Sequence, residues 1–397
     1  MTQAARQPWW RNWRVWVIPG LAAVALLIFL VNLLPVAPVA PTSESLPDTA
    51  VGKLVERIEL INFPTAEVGW ALVAARPYWK VIRTTDGGVH WRDVNPAGDA
   101  SNGGVVLTVM GAEAAAVVIL PYEYIRDSGF AVTTDGGANW SAGILPNGAS
   151  TGPDPIFALS NREIFAVLGN GDVVATSNGG SAWSAVKLPA LATGSCLPTS
   201  VWFTSPSSGW VSGPCTGVAA VWHTANGGAS WQPELLSSSY RPSTAVTVAP
   251  PQQEGGSDRV LDIVVAKTGA SESLRVFEHA SGEWRAAPAV TLPAGRVLAS
   301  FANESDGWVL VAPSARGATA LAYYTSSAGY DWSFRATPIP ASQVTGIDLV
   351  SPQSVVALVQ AGRYRLVWKT ADGGVKWGST EMAIVNGPAP KVNGIIG

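Results

Sequence analysis

Thr84-Thr85-Asp86-Gly87-Gly88-Val89-His90-Trp91 is one copy of a pattern, Thr-x-Asp-Gly-Gly-x-x-Trp, that recurs almost to the C-terminus. Intact copies place Asp135 before Trp140 and Asp372 before Trp377. Asn178 and Asn226 replace the aspartate in the copies that end at Trp183 and Trp231. An eroded copy ends at Trp332 with Ser327 in the aspartate place, and a fragment survives as Ser281-Gly282-Glu283-Trp284. The seven closing tryptophans lie 43 to 53 residues apart. A period of that length with one hairpin signal per unit predicts a ring of small sheets. The expected fold is therefore all-β, a seven-bladed β-propeller of four-stranded blades.

The residue types explain the spacing. Asp-Gly or Asn-Gly between β-rich runs supplies the positive φ of a tight hairpin turn. The second glycine admits a bulge or a close backbone approach. The Asp or Asn oxygen accepts hydrogen bonds from turn amides, and the Thr hydroxyl adds another. Each Trp should then bury its ring against the neighbouring unit. Repeated carboxylates could also suggest acid–base chemistry or calcium. An acid–base residue or metal ligand tolerates the exchange of Asp for Asn or Ser less readily than a turn does, so the box reads as a turn lock, with no metal or cofactor implied.

The 397 residues are 47% hydrophobic and 13% charged, with 41 Gly and 29 Pro, which suits a turn-rich β protein with a large core. A net charge of −3 argues against a molecule-wide nucleic-acid surface. Residues 15–43 carry no charge, and 15–34 are almost wholly apolar, long enough to span a bilayer. Arg6, Arg11 and Arg14 precede this span and no basic residue follows until Lys53, so the N-terminus is expected in the cytoplasm. A cleaved signal peptide is the competing reading; cleavage after Ala37 or Ala40 would leave Pro38 or Pro41 next to the scissile bond. The expected plan is a basic N-terminus at 1–14, one transmembrane helix at 15–36, a stalk at 37–53, the propeller at 54–385 and a tail at 386–397.

Each repeat divides into strands A to D, with the box joining C to D. A weaker repeat, Phe63…Gly69-Trp70, Phe203…Gly209-Trp210 and Phe301…Gly307-Trp308, marks A–B turns at a constant offset. The seventh unit is expected to keep its own D strand over 376–384, so the ring would close without a swapped strand unless 51–58 contributes one. Cys196 and Cys215 flank the A–B hairpin of the fourth unit and are placed to meet at its open end. In an oxidising compartment a disulfide is favoured over two free thiols.

The box resembles the Asp-box, or bacterial neuraminidase repeat. Together with the Phe…Gly-Trp turn, the seven copies resemble the photosystem II assembly and stability factor family of extracytoplasmic propellers. That resemblance covers about residues 54–384. It implies a non-enzymatic chaperone that binds a reaction-centre subunit, and so a role in photosynthesis; this chain differs in having a membrane helix as its anchor. The box is shared with sialidases and xyloglucan-cleaving glycosidases, so it specifies fold better than function. A sialidase-like glycosidase needs an arginine triad, a Tyr–Glu pair and an early Phe/Tyr-Arg-Ile/Leu-Pro motif. The sequence lacks that motif, and its acidic residues outside the boxes are not paired by any motif.

A–B and C–D turns share one propeller face, which leaves the B–C loops on the other. Three of those loops carry an Arg- and Tyr-rich set: Arg76, Tyr78, Trp79 and Lys80; Tyr122, Tyr124 and Arg126; Arg363, Tyr364 and Arg365. Units seven, one and two become neighbours when the ring closes, and these residue types are enriched at protein-binding hot spots. The expected function is a membrane-anchored, extracytoplasmic scaffold that binds a membrane-protein subunit or its external loop. Glycan binding or glycoside hydrolysis is the alternative.

Overall fold

The computed structural model describes residues 57–75, 78–96, 104–120, 127–238, 245–248, 260–268, 271–280, 282–361, 364–380, 383–385 and 390–393. All fall in one compact unit, Pro47–Gly397. The expected anchor at 15–36 and stalk at 37–53 lie outside them. Among the described residues, no helix is long and apolar enough to cross a membrane.

The chain is an all-β propeller, and its described strands form seven sheets. Six contain a four-stranded antiparallel meander in chain order. Sheet 1 runs Arg57–Asn62, Gly69–Ala75, Tyr78–Thr84, His90–Asp93, and sheet 2 runs Val105–Val109, Ala115–Ile119, Ser128–Thr133, Asn139–Leu145. Sheets 3 and 4 begin at Ile156–Ala158 and Ser200–Phe203, sheets 6 and 7 at Gly295–Phe301 and Val344–Ser351. Sheet 5 orders Ala245–Val248, Val260–Thr268, Ser271–Ala280 and Glu283–Ala286 in the same way but takes on three further strands.

Strands buried on both faces explain the stacking. Trp70 and Leu72 point to one side of sheet 1 and pack on Leu107 and Val117 of sheet 2, while Ala71 and Val73 point to the other and join Val356 and Leu358 of sheet 7. Seven apolar clusters repeat this arrangement, each shared by two consecutive sheets, and one joins sheet 7 back to sheet 1. Every box Trp packs toward the preceding sheet: Trp91 in the seam between sheets 1 and 7, Trp140 between 2 and 1, Trp231 between 4 and 3. Trp183, Trp284, Trp332 and Trp377 are less deeply buried but sit on the corresponding clusters.

The Phe…Gly-Trp repeat has a steric cause. A Cβ at Gly69, Gly209 or Gly307 would lie 2.6, 2.5 or 2.4 Å from the ring of Phe63, Phe203 or Phe301. The ring covers the glycine directly, so only glycine fits.

Two expectations about connectivity are corrected. The single D strand expected over 376–384 is divided: Gly378–Thr380 stays in sheet 7, whereas Ala383–Val385 crosses over and pairs in parallel with His90–Asp93 of sheet 1. Lys391–Asn393, expected as tail, pairs in parallel with Asn139–Leu145 of sheet 2. The C-terminal segment thus covers the outer edges of the first two sheets, where unpaired amides would otherwise face solvent. The cysteine pair lies at the open end of the sheet 4 A–B hairpin, in an extension that sheet 5 shares. Ser195–Cys196 and Pro214–Thr216 extend the A–B hairpin of sheet 4, yet Pro214–Thr216 also pairs with Ala245–Val248, which makes both strands part of sheet 5. Cys196 and Cys215 are directly paired and disulfide-bonded.

Candidate functional site

The box turns are closed systems. Thr84 Oγ1 donates to Asp86 Oδ1 at 2.8 Å and accepts from the Gly88 amide at 3.0 Å. Asp86 Oδ1 also accepts from the amides of Val89 and His90, at 3.1 and 2.9 Å. Equivalent closing bonds run from the amide four residues on to Asp135 at 2.8 Å, and to Asn178, Asn226, Ser327 and Asp372 at 2.9 Å. A neutral oxygen serves as well as a carboxylate, which is why Asn and Ser appear in the place of Asp. The His90 amide, then Thr84, hold the Asp86 carboxyl well below its ordinary range, so it stays an acceptor. The positive φ expected at the aspartate falls instead on both glycines, +70° and +86° at Gly87 and Gly88. The aspartate keeps ordinary backbone angles while its side chain folds back over the turn. The first glycine amide reaches the adjacent A–B turn: Gly87 to Glu67 O at 2.8 Å, Gly136 to Glu113 O at 2.9 Å. Both turn types therefore share one face.

The residue just before the box Thr is a staple that the sequence reading missed. Arg83, His223 and Tyr324 lie cross-strand from Trp70, Trp210 and Trp308. The Arg83 guanidinium sits 5.3 Å from the Trp70 ring, donates to Ala112 O at 3.0 Å and pairs with Glu113 of sheet 2. Lys369 holds the same place in sheet 7 and donates to Gly87 O of sheet 1 at 2.6 Å. Burial pushes the Lys369 amine below its ordinary pKa, with Asp86 opposing the shift. A periodic comparison one position upstream of the boxes would have found these residues. The basic groups Arg83 and Lys369 are thus engaged between sheets.

The innermost strands surround a central cavity of about 740 Å³, lined in part by Asn62, Met110, Asp154, Trp202, Ser300 and Asp348. Asp348 is 7% exposed and accepts from the Phe63 amide at 2.5 Å and from Asn62 Nδ2 at 3.5 Å. Burial pushes its carboxyl up to about 7 against the opposing hydrogen bonds from Phe63, Leu349 and Ser300. Asp154, surrounded by protein but partly open to the cavity, is pushed up to about 6 by burial, and its φ is +48°. Asp348 is occupied in joining sheet 7 to sheet 1.

Of the sector expected to bind a partner, Arg76, Tyr122, Tyr124, Arg126 and Arg363 lie outside the described residues, as do the side chains of Tyr78, Tyr364 and Arg365. Tyr78 and Tyr364 begin their strands at the ends remote from the boxes. Trp79 packs on the cluster between sheets 1 and 2, and Lys80 forms an ion pair with Asp93 of its own sheet. The seam clusters make sheets 7, 1 and 2 successive neighbours, so the B–C ends of these three sheets adjoin.

No family model matches the chain, and no curated relative matches it in sequence. Among solved structures, the GH74 xyloglucanase from Xanthomonas campestris superposes with a TM-score of 0.57 at 14% identity, over 80% of this chain and 52% of that one. The present chain therefore spans about half the length of that enzyme. YCF48 from Cyanidioschyzon merolae superposes with a TM-score of 0.50 at 17% identity, over 80% of this chain and 93% of that one. A structure described as YCF48 bound to D1 peptide gives 0.49 at 17% identity, over 80% and 92%. At these identities the likeness is one of fold, and the chain is similar to YCF48 and to GH74 enzymes as a β-propeller.

Proposed function

We propose that the chain is a seven-bladed Asp-box propeller, with sheet 5 as its irregular blade, that works as a non-enzymatic protein-binding scaffold. In this reading the segment 15–36 holds it at the outer face of the cytoplasmic membrane. The partner is a membrane-protein subunit or its external loop, bound during assembly of a membrane complex.

One observation carries the reading. On the box face, the turn oxygens and the basic groups Arg83 and Lys369 are engaged within the ring. Recognition therefore falls to the opposite face, where irregular loops carry it. In this reading the sector is formed by the B–C connections of sheets 7, 1 and 2, whose sequence carries Arg76, Arg126 and Arg365 with neighbouring tyrosines. Arg and Tyr supply large, specific contacts at protein interfaces. The fold of YCF48 is compatible with this reading.

Glycan binding or hydrolysis ranks second. It draws on the same fold in a xyloglucanase, and hydrolysis needs two carboxyl groups flanking the scissile bond. Asp348 is a poor member of such a pair because its oxygens are bonded within the ring seam.

The test is recovery of partners from solubilised membranes with wild-type bait and with the Arg76→Ala, Arg126→Ala, Arg365→Ala triple variant. Loss of a specific membrane subunit with the variant, its β spectrum unchanged, is the expected outcome. Equal recovery by both baits would move the site elsewhere.

A further inference from the structure

His223 stands where sheets 1 and 7 carry the stapling Arg83 and Lys369, but its surroundings differ in kind. Its Nδ1 lies 2.9 Å from Glu234 Oε1 and its Nε2 lies 3.1 Å from Ser208 Oγ. The Trp284 indole N–H donates to Glu234 Oε2 at 2.7 Å. The Trp210 ring stacks on the imidazole with centroids 3.9 Å apart and planes 13° apart, which fixes the orientation of the imidazole ring.

The donor and acceptor roles follow from these partners. Burial alone would raise the Glu234 carboxyl; hydrogen bonds from His223 and Trp284 outweigh it and hold the group below its ordinary range. An ionised carboxylate only accepts, so the proton sits on Nδ1 of His223. Nε2 then presents its lone pair to Ser208, whose hydroxyl donates. Ser208 lies on a partly exposed A–B turn, within reach of solvent.

We propose that Ser208 is an activated nucleophile, with His223 as its general base and Glu234 as a positioning residue, that takes a small acyl group from an activated ester. This activity is separate from partner binding on the opposite face. Ser208 Oγ bonds the acyl carbon as its proton passes to His223 Nε2. The ester C–O bond breaks, the leaving alcohol carries off that proton, and Ser208 remains acylated. The turn amides of Ser207 and Ser208 both donate to Ser205 Oγ, at 3.3 and 3.0 Å. Neither is free to stabilise an oxyanion, a contribution that is typically about 10²–10³-fold per donor. The expected behaviour is one acylation per chain followed by slow turnover.

The experiment incubates the full-length protein with p-nitrophenyl acetate, follows nitrophenol release and locates the acetyl group by peptide mass. A burst of about one equivalent with the acetyl on Ser208 is expected. Ser208→Ala should abolish the burst and Ser207→Ala should leave it unchanged. Glu234→Gln should slow it about tenfold or more, since it removes the partner that fixes the imidazole tautomer. Glu234→Asp should restore part of the rate, and all variants are compared at equal thermal midpoint. Acetylation of Ser208 no faster than of Ser207, or an unchanged rate in Glu234→Gln, would overturn the proposal.

Discussion

Asp135 illustrates how little of the box depends on charge. Its Oδ1 accepts from the Asn139 amide at 2.8 Å and from Thr133 Oγ1 at 3.0 Å, and its Oδ2 accepts from Asn139 Nδ2 at 2.7 Å. Asn178 and Asn226 make the corresponding closing bond with a neutral oxygen. Asp135→Asn should therefore change stability little, whereas Asp135→Ala, which strands the turn amides, should cost about 1 kcal/mol. Urea denaturation of the two variants measures the difference. Comparable losses in both would give the charge a role that the geometry does not.

At the scale of elements, the cystine belongs to a two-stranded extension that leaves one sheet and joins the next. Ser195–Cys196 and Pro214–Thr216 continue the hairpin of sheet 4, and Pro214–Thr216 pairs on its other side with Ala245–Val248 of sheet 5. The bond closes a loop with a sequence separation of 19, which contributes roughly 3 kcal/mol in the chain-entropy model. Cys215 also packs in the cluster between sheets 4 and 5, so the cross-link stabilises that seam as well as the hairpin. The double variant Cys196→Ser, Cys215→Ser should lose stability by about that amount, measured by denaturant unfolding. A reduced wild-type protein that unfolds at the unreduced midpoint would contradict the assignment.

At the scale of the whole molecule, the ring depends on the seam between sheets 7 and 1. Apolar packing of Ile58, Ile61 and Phe63 with Val356 and Leu358 forms most of it, and Asp348 adds a polar bond to the Phe63 amide. The folded state raises the Asp348 carboxyl to about 7, so between about pH 4 and 7 the folded protein binds a proton that the unfolded chain releases. That contribution is complete below about pH 4 and is lost as pH rises through 7. Asp348→Asn keeps an acceptor for the amide and removes the titration. The thermal midpoint of wild type should thus fall relative to Asp348→Asn between pH 5 and pH 8. The lowered carboxyls of Asp86 and Asp372 act in the opposite sense, but both proteins share them and they cancel in the difference. A constant difference across that range would exclude Asp348 as the titrating group.

The sequence by itself determined the repeat, the turn chemistry and that each tryptophan buries against a neighbouring unit. These are local consequences of Gly, Asp or Asn, and Trp at fixed spacing, and Trp91, Trp140 and Trp231 lie in the seams where that spacing puts them. Tertiary structure decided what depends on pairing between distant segments. Ala383–Val385 and Lys391–Asn393 find their partners about 290 and 250 residues away, on outer edges that any compatible strand could cover. The cysteines' choice of sheet 5, the contact of Asp348 with Phe63 and the meeting of Ser208, His223 and Glu234 arise in the same way. Each needs backbones that become neighbours only after the sheets have stacked, and no periodicity along the chain encodes which side chains then come within hydrogen-bond reach.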